Sequence, residues 1–316
     1  MKFFIAFFGF LSLLFFGWAL FVFGEMGNGS VMSQWVWDDY SKKMNIAKSI
    51  NDKKIIVSAG SNVLFGVNSK ILSKFFHKRV VNFGVNAGVG LPVILYMTKK
   101  VVNKGDVVLM PLEYPMYSYD GKPGLQMIDF ILGRVPELFW KLTLKEQFYI
   151  LWHVSLKRVW NGYFYKSNRP MMVGVYGVKN IDKNGDQIKT EIDFRDKNMQ
   201  KELDNMRPEK YGARFDKNAL GWRYLEEFVK WCKKRDVRVV FMPSTLMKDR
   251  SYFTDKKERW FYKHIAKIIR NKGWKFVGKP YLYMYEKKMY FNTKFHLINK
   301  ARKKRTLQMV EDLNSN

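Results

Sequence analysis

The chain has one cysteine, Cys232, in 316 residues. That excludes an internal disulfide framework and a cysteine-built zinc cluster. Histidine is nearly as scarce. His77, His153, His264 and His296 are the four available, so any mechanism needing an imidazole must use one of them. Acidic residues are few, 28 Asp+Glu against 56 Lys+Arg, which leaves a formal charge of +28. A field of that sign favours polyanionic neighbours: nucleic acid, anionic lipid headgroups or acidic envelope polymers. No internal repeat, low-complexity linker or G-x-G-x-x-G dinucleotide fingerprint interrupts the chain. Hydrophobic residues make up 47%, enough to fill a core, and they exclude wholesale disorder despite 27% charged residues.

The first segment sets the compartment. Phe3 to Phe23 is an uncharged apolar run, and about 20 such residues span a bilayer core as a helix. Lys2 precedes it, while Glu25, Asp38 and Asp39 follow before the pair Lys42-Lys43. The positive-inside rule then places the N-terminus in the cytoplasm and the rest outside. A cleaved signal peptide is the competing reading; no A-x-A-like site follows the run, and an uncleaved signal anchor is preferred. No cysteine stands there to carry a lipoprotein anchor. An extracytoplasmic domain also argues against nucleic acid as a partner.

The expected organisation is a signal anchor over 1–24, a polar neck over 25–52, helical near Trp35 to Ala47, and an α/β domain over 53–316. Ile55-Ile56-Val57, Val80 to Phe83 and Asp106 to Met110 read as strands separated by helices, β-α-β-α-β in about 60 residues. This pattern predicts a parallel sheet with helices on both faces, a three-layer α/β/α sandwich. An insertion over 114–216 breaks the rhythm with an aromatic helical block, Phe130 to Trp160, and a polar block. There Asn184-Gly185 predicts a type I′ hairpin. The acidic cluster Asp182, Asn184, Asp186 looks superficially like a calcium loop, but its glycine is misplaced for an EF-hand, and no metal or cofactor is expected. The α/β rhythm resumes with strands at Val237 to Met242 and Lys275 to Val277, and a basic amphipathic helix from Asn299 to Leu313 ends the chain.

In open parallel sheets, ligands bind beyond the carboxyl ends of the strands. Three features fall there. Ser61 follows strand one at the start of a helix, either as a nucleophile with backbone N–H groups beside it or as an ordinary N-cap. The turn Asn82 to Gly88 follows strand two, its glycines allowing close approach of backbone to a ligand. His296 lies in a loop before the last helix, placed to act as a general base. His264 falls on the apolar stripe Phe261, Ile265, Ile268 and reads as a core histidine.

This order resembles the SGNH/GDSL hydrolase family, and most closely its membrane-anchored relatives that serve cell-envelope polymers through teichoic-acid D-alanylation or alginate O-acetylation. The resemblance covers about 53–113 and 217–313. Gly60-Ser61-Asn62-Val63-Leu64-Phe65-Gly66 is similar to the first block, with Ser61 as nucleophile. Gly88, or less well Gly84, matches the second block's oxyanion donor. His296, followed by Arg302, Arg305 and Thr306, is similar to the last block. Asn292 stands where the family's acid belongs, and Pro111-Leu112-Glu113-Tyr114 replaces the third block's G-x-N-D; Glu113 or a backbone carbonyl is an alternative orienter of the histidine.

The resemblance implies an extracytoplasmic serine-dependent O-acyltransferase or esterase acting on an envelope polysaccharide or acidic glycan. Ser61 and Gly88 would supply oxyanion N–H groups, and a multi-pass membrane acyltransferase is an expected partner. Trp140, Trp152 and Trp160 would stack on sugars or fill the insertion's core. By its charge, the basic run Lys300, Arg302, Lys303, Lys304, Arg305 is expected to meet an anionic membrane surface or acidic glycan; the alternatives are a solvated helix face, or Arg302 and Arg305 tying the helix to the sheet. The alternative is a catalytically silent SGNH-fold accessory protein of envelope polymer assembly.

Overall fold

The computed structural model describes residues 1–165 and 170–315. Seven short strands occur in it: β1 (Ile55–Val57), β2 (Val80–Asn82), β3 (Val107–Met110), β4 (Arg238–Phe241), β5 (Leu246–Met247), β6 (Lys275–Phe276) and β7 (Met284–Tyr285). Five form one sheet in the order β2-β1-β3-β4-β6, every neighbouring pair parallel. β5 and β7 pair separately, a small parallel ribbon the sequence did not suggest. β1 is all β-branched, and both it and its neighbour β2 are buried along their length, as strands covered on both faces require. Lys54 and Asp106 pin the amino ends of β1 and β3. The Lys54 N–H donates to Asp106 Oδ1 at 2.9 Å and its ammonium lies 2.9 Å from Oδ2, both side chains buried.

Register aligns Val57 with Asn82 on one side and Leu109 on the other. The segments after β1, β2 and β3 therefore leave the sheet at one edge. Two helices follow β1, Ser61–Gly66 and Ser69–Phe76. The break comes at Val67-Asn68, and the Asn68 side chain caps the second helix by accepting from Ile71 N–H.

The segment expected as a neck is part of the domain. Ser30 caps a helix over Val31–Lys48 whose Trp35, Val36, Tyr40 and Ala47 are buried in the main core. Tyr40 packs on Phe83, at the end of β2, and on Phe130 of the insertion. Phe130, Ile131 and Leu132 of the insertion belong to that same core.

The Asn184-Gly185 hairpin forms with a different turn. Gly185 has φ +86° and its N–H donates to Asp182 O, while Asn184 keeps a negative φ. That is a type I turn followed by a left-handed glycine, not type I′. A side chain at Gly185 would lie 2.4 Å from Asn82 O, so the turn docks directly on the end of β2. The two carboxylates of the would-be calcium loop have structural tasks: Asp182 accepts from Asn184 and Asp186 N–H within the turn, and Asp186 accepts from Ser69 and Asn82, which docks it.

The helix Lys2–Gly24 is long and apolar enough to cross a membrane, with mean hydropathy 2.3 over its best window and little of that window buried.

Candidate active site at the strand ends

Gly60 joins β1 to the helix Ser61–Gly66 and must be glycine. A Cβ there would lie 2.6 Å from Ala87 Cα and 2.6 Å from Glu113 Oε1. The helix is capped by Gly60, whose lack of a side chain leaves capping to Glu113. Oε2 of that carboxylate accepts from Gly60 N–H and Oε1 from Asn62 N–H, each at 3.0 Å. Ser61 is therefore not the N-cap. It sits half-buried between the two amides that Glu113 holds, and among the described residues neither its hydroxyl nor its N–H makes a hydrogen bond. Glu113 is fully buried, which raises its pKa, while the bonds from Asn62 and Gly60 oppose the shift. It does not touch His296.

The second turn lies across this one. A Cβ on Gly84 would meet Val63 Cβ at 2.5 Å, Gly60 O at 2.6 Å and Leu64 N at 2.7 Å, so Gly84 is the glycine that permits the two backbones to meet. Buried Lys43, from the helix Val31–Lys48, donates to Gly84 O. Gly88 stands further out. It is exposed, its N–H is held by Asn86 Oδ1 at 2.6 Å, and its open side faces Gln126. It lines a cavity of about 210 Å³ with Ala87, Leu91, Met116 and Met127; neither Ser61 nor His296 lines it.

His296 and Asn292 are brought together. Nδ1 of His296 lies 2.8 Å from Asn292 Oδ1, the imidazole N–H donating to the amide oxygen. The amide's own Nδ2 donates to the Tyr176 hydroxyl at 2.7 Å, which fixes its orientation. Tyr176 lies 3.4 Å from His296 Nδ1. The imidazole stacks on Phe65, centroids 4.1 Å apart and planes 5° from parallel. Phe65 stands one turn after Ser61 on the same short helix, so histidine and serine share that helix face. No hydrogen bond joins them among the described residues.

Burial lowers the His296 pKa to about 3. The ring is thus neutral at ordinary pH. With Nδ1–H committed to Asn292, its Nε2 carries the lone pair, the tautomer a general base needs. An amide partner offers the resulting imidazolium no compensating charge.

The remaining histidines are not so placed. His77 ends a helix with φ +50°, exposed; His153 is exposed and bonds back to Tyr149 O. His264 is half-exposed, stacked on Trp260 and bonded to its carbonyl, rather than buried in the core as its stripe suggested.

The basic run on the last helix divides. Arg305 is buried, donating to Asn62 O at 2.6 Å and Asn62 Oδ1 at 2.8 Å. Arg302 is buried too and reaches Gln187 O and Asn299 Oδ1. Thr306 accepts from Asn68 N–H at 3.0 Å. Lys300, Lys303 and Lys304 face outward. Thus the last block is bolted to the first through Asn62, whose N–H, expected to point outward beside Ser61, is instead held by Glu113.

Tyr176 and Phe65 were missed. Tyr176 lies in the polar part of the insertion, where no spacing marks it, and Phe65 reads as core. Trp140, Trp152 and Trp160 are exposed, not core of the insertion, and Trp140 packs against Phe23 of the apolar helix. No protein-family model matches the chain, and no curated protein matches it as a relative.

Proposed function

We propose that this is an extracytoplasmic SGNH-like acyl-transfer protein, an O-acyltransferase or esterase acting on an envelope polysaccharide or other acidic glycan. The helix Lys2–Gly24 is its membrane anchor. The helices flank both faces of the parallel sheet as a three-layer sandwich. Ser61 attacks the acyl donor, its proton passing to Nε2 of His296. The ester forms as the donor's leaving group departs with a proton, and the acceptor hydroxyl or water then takes the acyl group as Ser61 recovers its hydrogen. The N–H of Ser61 holds the oxyanion; Gly88 joins it only on release from Asn86. Asn292 positions the imidazole, and Tyr176 positions Asn292.

One observation carries this reading: a neutral histidine with its N–H tied to Asn292 is stacked one helical turn from a serine whose hydroxyl has no other task. Closing the gap between Ser61 and His296 falls to substrate binding, since catalytic hydrogen bonds often tighten only in the complex. The test is hydrolysis of a chromogenic acetyl ester by wild type and Ser61→Ala. Turnover in the first and loss in the second is expected; equal rates contradict it.

A second reading has its own observation. Glu113 occupies the Gly60 and Asn62 amides that flank Ser61, and Asn86 occupies the Gly88 amide, so these donors are already satisfied. That favours a silent SGNH-fold accessory that holds polymer, or a multi-pass membrane acyltransferase, without chemistry. In that case neither protein turns the ester over.

A further inference from the structure

The insertion carries two helices, Leu144–His153 and Leu156–Phe164, each with a buried face. Ile150 and Leu151 of the first and Val159 of the second are in the core. Their opposite faces are apolar as well. Leu144, Phe148 and Trp152 recur every fourth residue on the first, and Leu156, Trp160 and Phe164 on the second. All six are exposed, from 57% at Trp160 to 77% at Trp152. A contiguous apolar surface of this kind marks an interaction site.

Its position identifies the occupant. The pad is joined to the last turns of the apolar helix. Phe15 stacks on Phe148 with centroids 5.9 Å apart. The Trp18 indole N–H donates to Leu151 O at 2.8 Å. Phe21 stacks on Tyr163, whose hydroxyl donates to Phe21 O at 2.9 Å. Immediately after this helix, buried Glu25 accepts from Arg158 at 2.8 Å, and Arg158 also pairs with Asp129. Anchor and pad therefore form one rigid piece.

Depth follows from helix geometry. The 23 residues of Lys2–Gly24 extend about 34 Å at 1.5 Å per residue, close to a hydrocarbon core of about 30 Å. Phe15 lies nine residues before Gly24, about 13 Å down the axis. A helix touching Phe15 cannot stand in water while the anchor spans the bilayer. Exposed Lys141, Lys145 and Lys157 border the stripes, where lysines reach the headgroups while their stems stay in apolar surroundings.

We infer that Leu144–His153 and Leu156–Phe164 lie in the outer leaflet of the same membrane, with Phe148, Trp152, Trp160 and Phe164 among the acyl chains. The pad holds the domain down on the bilayer at a fixed tilt instead of letting it swing on a tether. Trp152 and Trp160 then contact lipid and not sugar. The inference rests on the reading of Lys2–Gly24 as a spanning anchor.

The test uses the full-length protein in bilayers of phosphatidylcholine and phosphatidylglycerol. Nitroxides are attached at Trp152→Cys, Trp160→Cys, Phe10→Cys and exposed Lys234→Cys, one at a time. Native Cys232 stays in place, because burial raises its thiol to about 12 and keeps it unreactive. Relaxation by oxygen, which concentrates in lipid, is compared with relaxation by a water-soluble nickel chelate. Positions 152 and 160 should resemble Phe10→Cys, with an oxygen-to-nickel ratio several-fold above that at Lys234→Cys. A lipid-like signal at Phe10→Cys with nickel-accessible labels at 152 and 160 overturns the inference and leaves the anchor standing. Labels at 152 and 160 shielded from both reagents mean that protein covers the pad, which also overturns it. A nickel-accessible Phe10→Cys removes the anchor reading, and the inference with it.

Discussion

The imidazole of His296 lies flat on the ring of Phe65, centroids 4.1 Å apart and planes within 5°. This contact excludes water from one whole face of the histidine and links the last block of the chain to the helix that Ser61 begins. Phe65→Ala should therefore do two things. Removing a buried phenyl ring should cost about 3–5 kcal/mol of stability. Admitting water beside the imidazole should also raise its pKa from about 3 toward the ordinary value. Denaturant titration reads the first and a histidine NMR titration the second. An unmoved pKa would show that Phe65 is not what dehydrates the ring.

The same burial sets a pH dependence. His296 has a folded pKa of about 3 against an ordinary 6.5. Between those values the unfolded chain binds the proton and the folded one does not, so this group's contribution to stability is present above about pH 6.5 and falls as pH drops toward 3. His296→Gln should lose that dependence. Buried Glu113 and Asp186, whose pKa values are raised, act with opposite sign in both proteins, so the difference between the two melting curves isolates the histidine. A difference that does not change from pH 7 to pH 4 contradicts the assignment.

Asn292 separates orientation from charge. Asn292→Asp places a carboxylate on Nδ1 and should raise the His296 pKa. It should also raise ester turnover, by up to about 10⁴-fold, the size of the corresponding acid-to-amide loss in the serine-protease triad. Asn292→Ala should lower turnover by freeing the ring. If neither substitution changes the rate, His296 is not the base. Tyr176→Phe removes the hydroxyl that accepts from the amide and should act in the direction of Asn292→Ala, more weakly.

The basic run on the last helix should split in two by phenotype. Arg305→Met leaves Asn62 O and Oδ1 without their donors in the core and should cost about 1–3 kcal/mol. Charge reversal at exposed Lys300, Lys303 and Lys304 should leave the melting temperature nearly unchanged. It should weaken binding to anionic vesicles at low salt, an effect that fades as the Debye length shortens. Vesicle binding unaffected by the reversal would remove this helix face as a contact.

The sheet was legible because its strands are short β-branched runs between helices, and this pattern has one economical solution. The Ser61, glycine-turn and His296 order was legible because each follows a strand or precedes a helix. Asn292 stood out only through the resemblance, at the position of the family's acid, and it lies in contact with His296. The rest depended on long-range packing. The helix Val31–Lys48 looks polar along the sequence because Asp39 and Lys43 alternate with its aromatics, yet both charges are buried and Lys43 supports the Gly84 turn. Glu113 was weighed as a partner for histidine; no local signal showed that it would cap the Ser61 helix instead. Gly84 ranked behind Gly88 as a match to the family's second block, although it is Gly84 that meets the first block. Arg302 and Arg305 stood in the sequence both as part of the basic run and as alternative ties from the helix to the sheet. Only the helix phase against Asn62 and Gln187 separates them from the exposed lysines beside them.

The central claim is that Ser61 is a nucleophile, and covalent labelling tests it most directly. The full-length protein is treated with a fluorophosphonate, and the adduct is located by mass spectrometry in wild type, Ser61→Ala and His296→Gln. The account predicts one adduct on Ser61 in wild type, none in Ser61→Ala and slowed labelling in His296→Gln, with the three proteins' folds verified by circular dichroism. A wild type that stays unlabelled, or labelling that persists in Ser61→Ala, contradicts it.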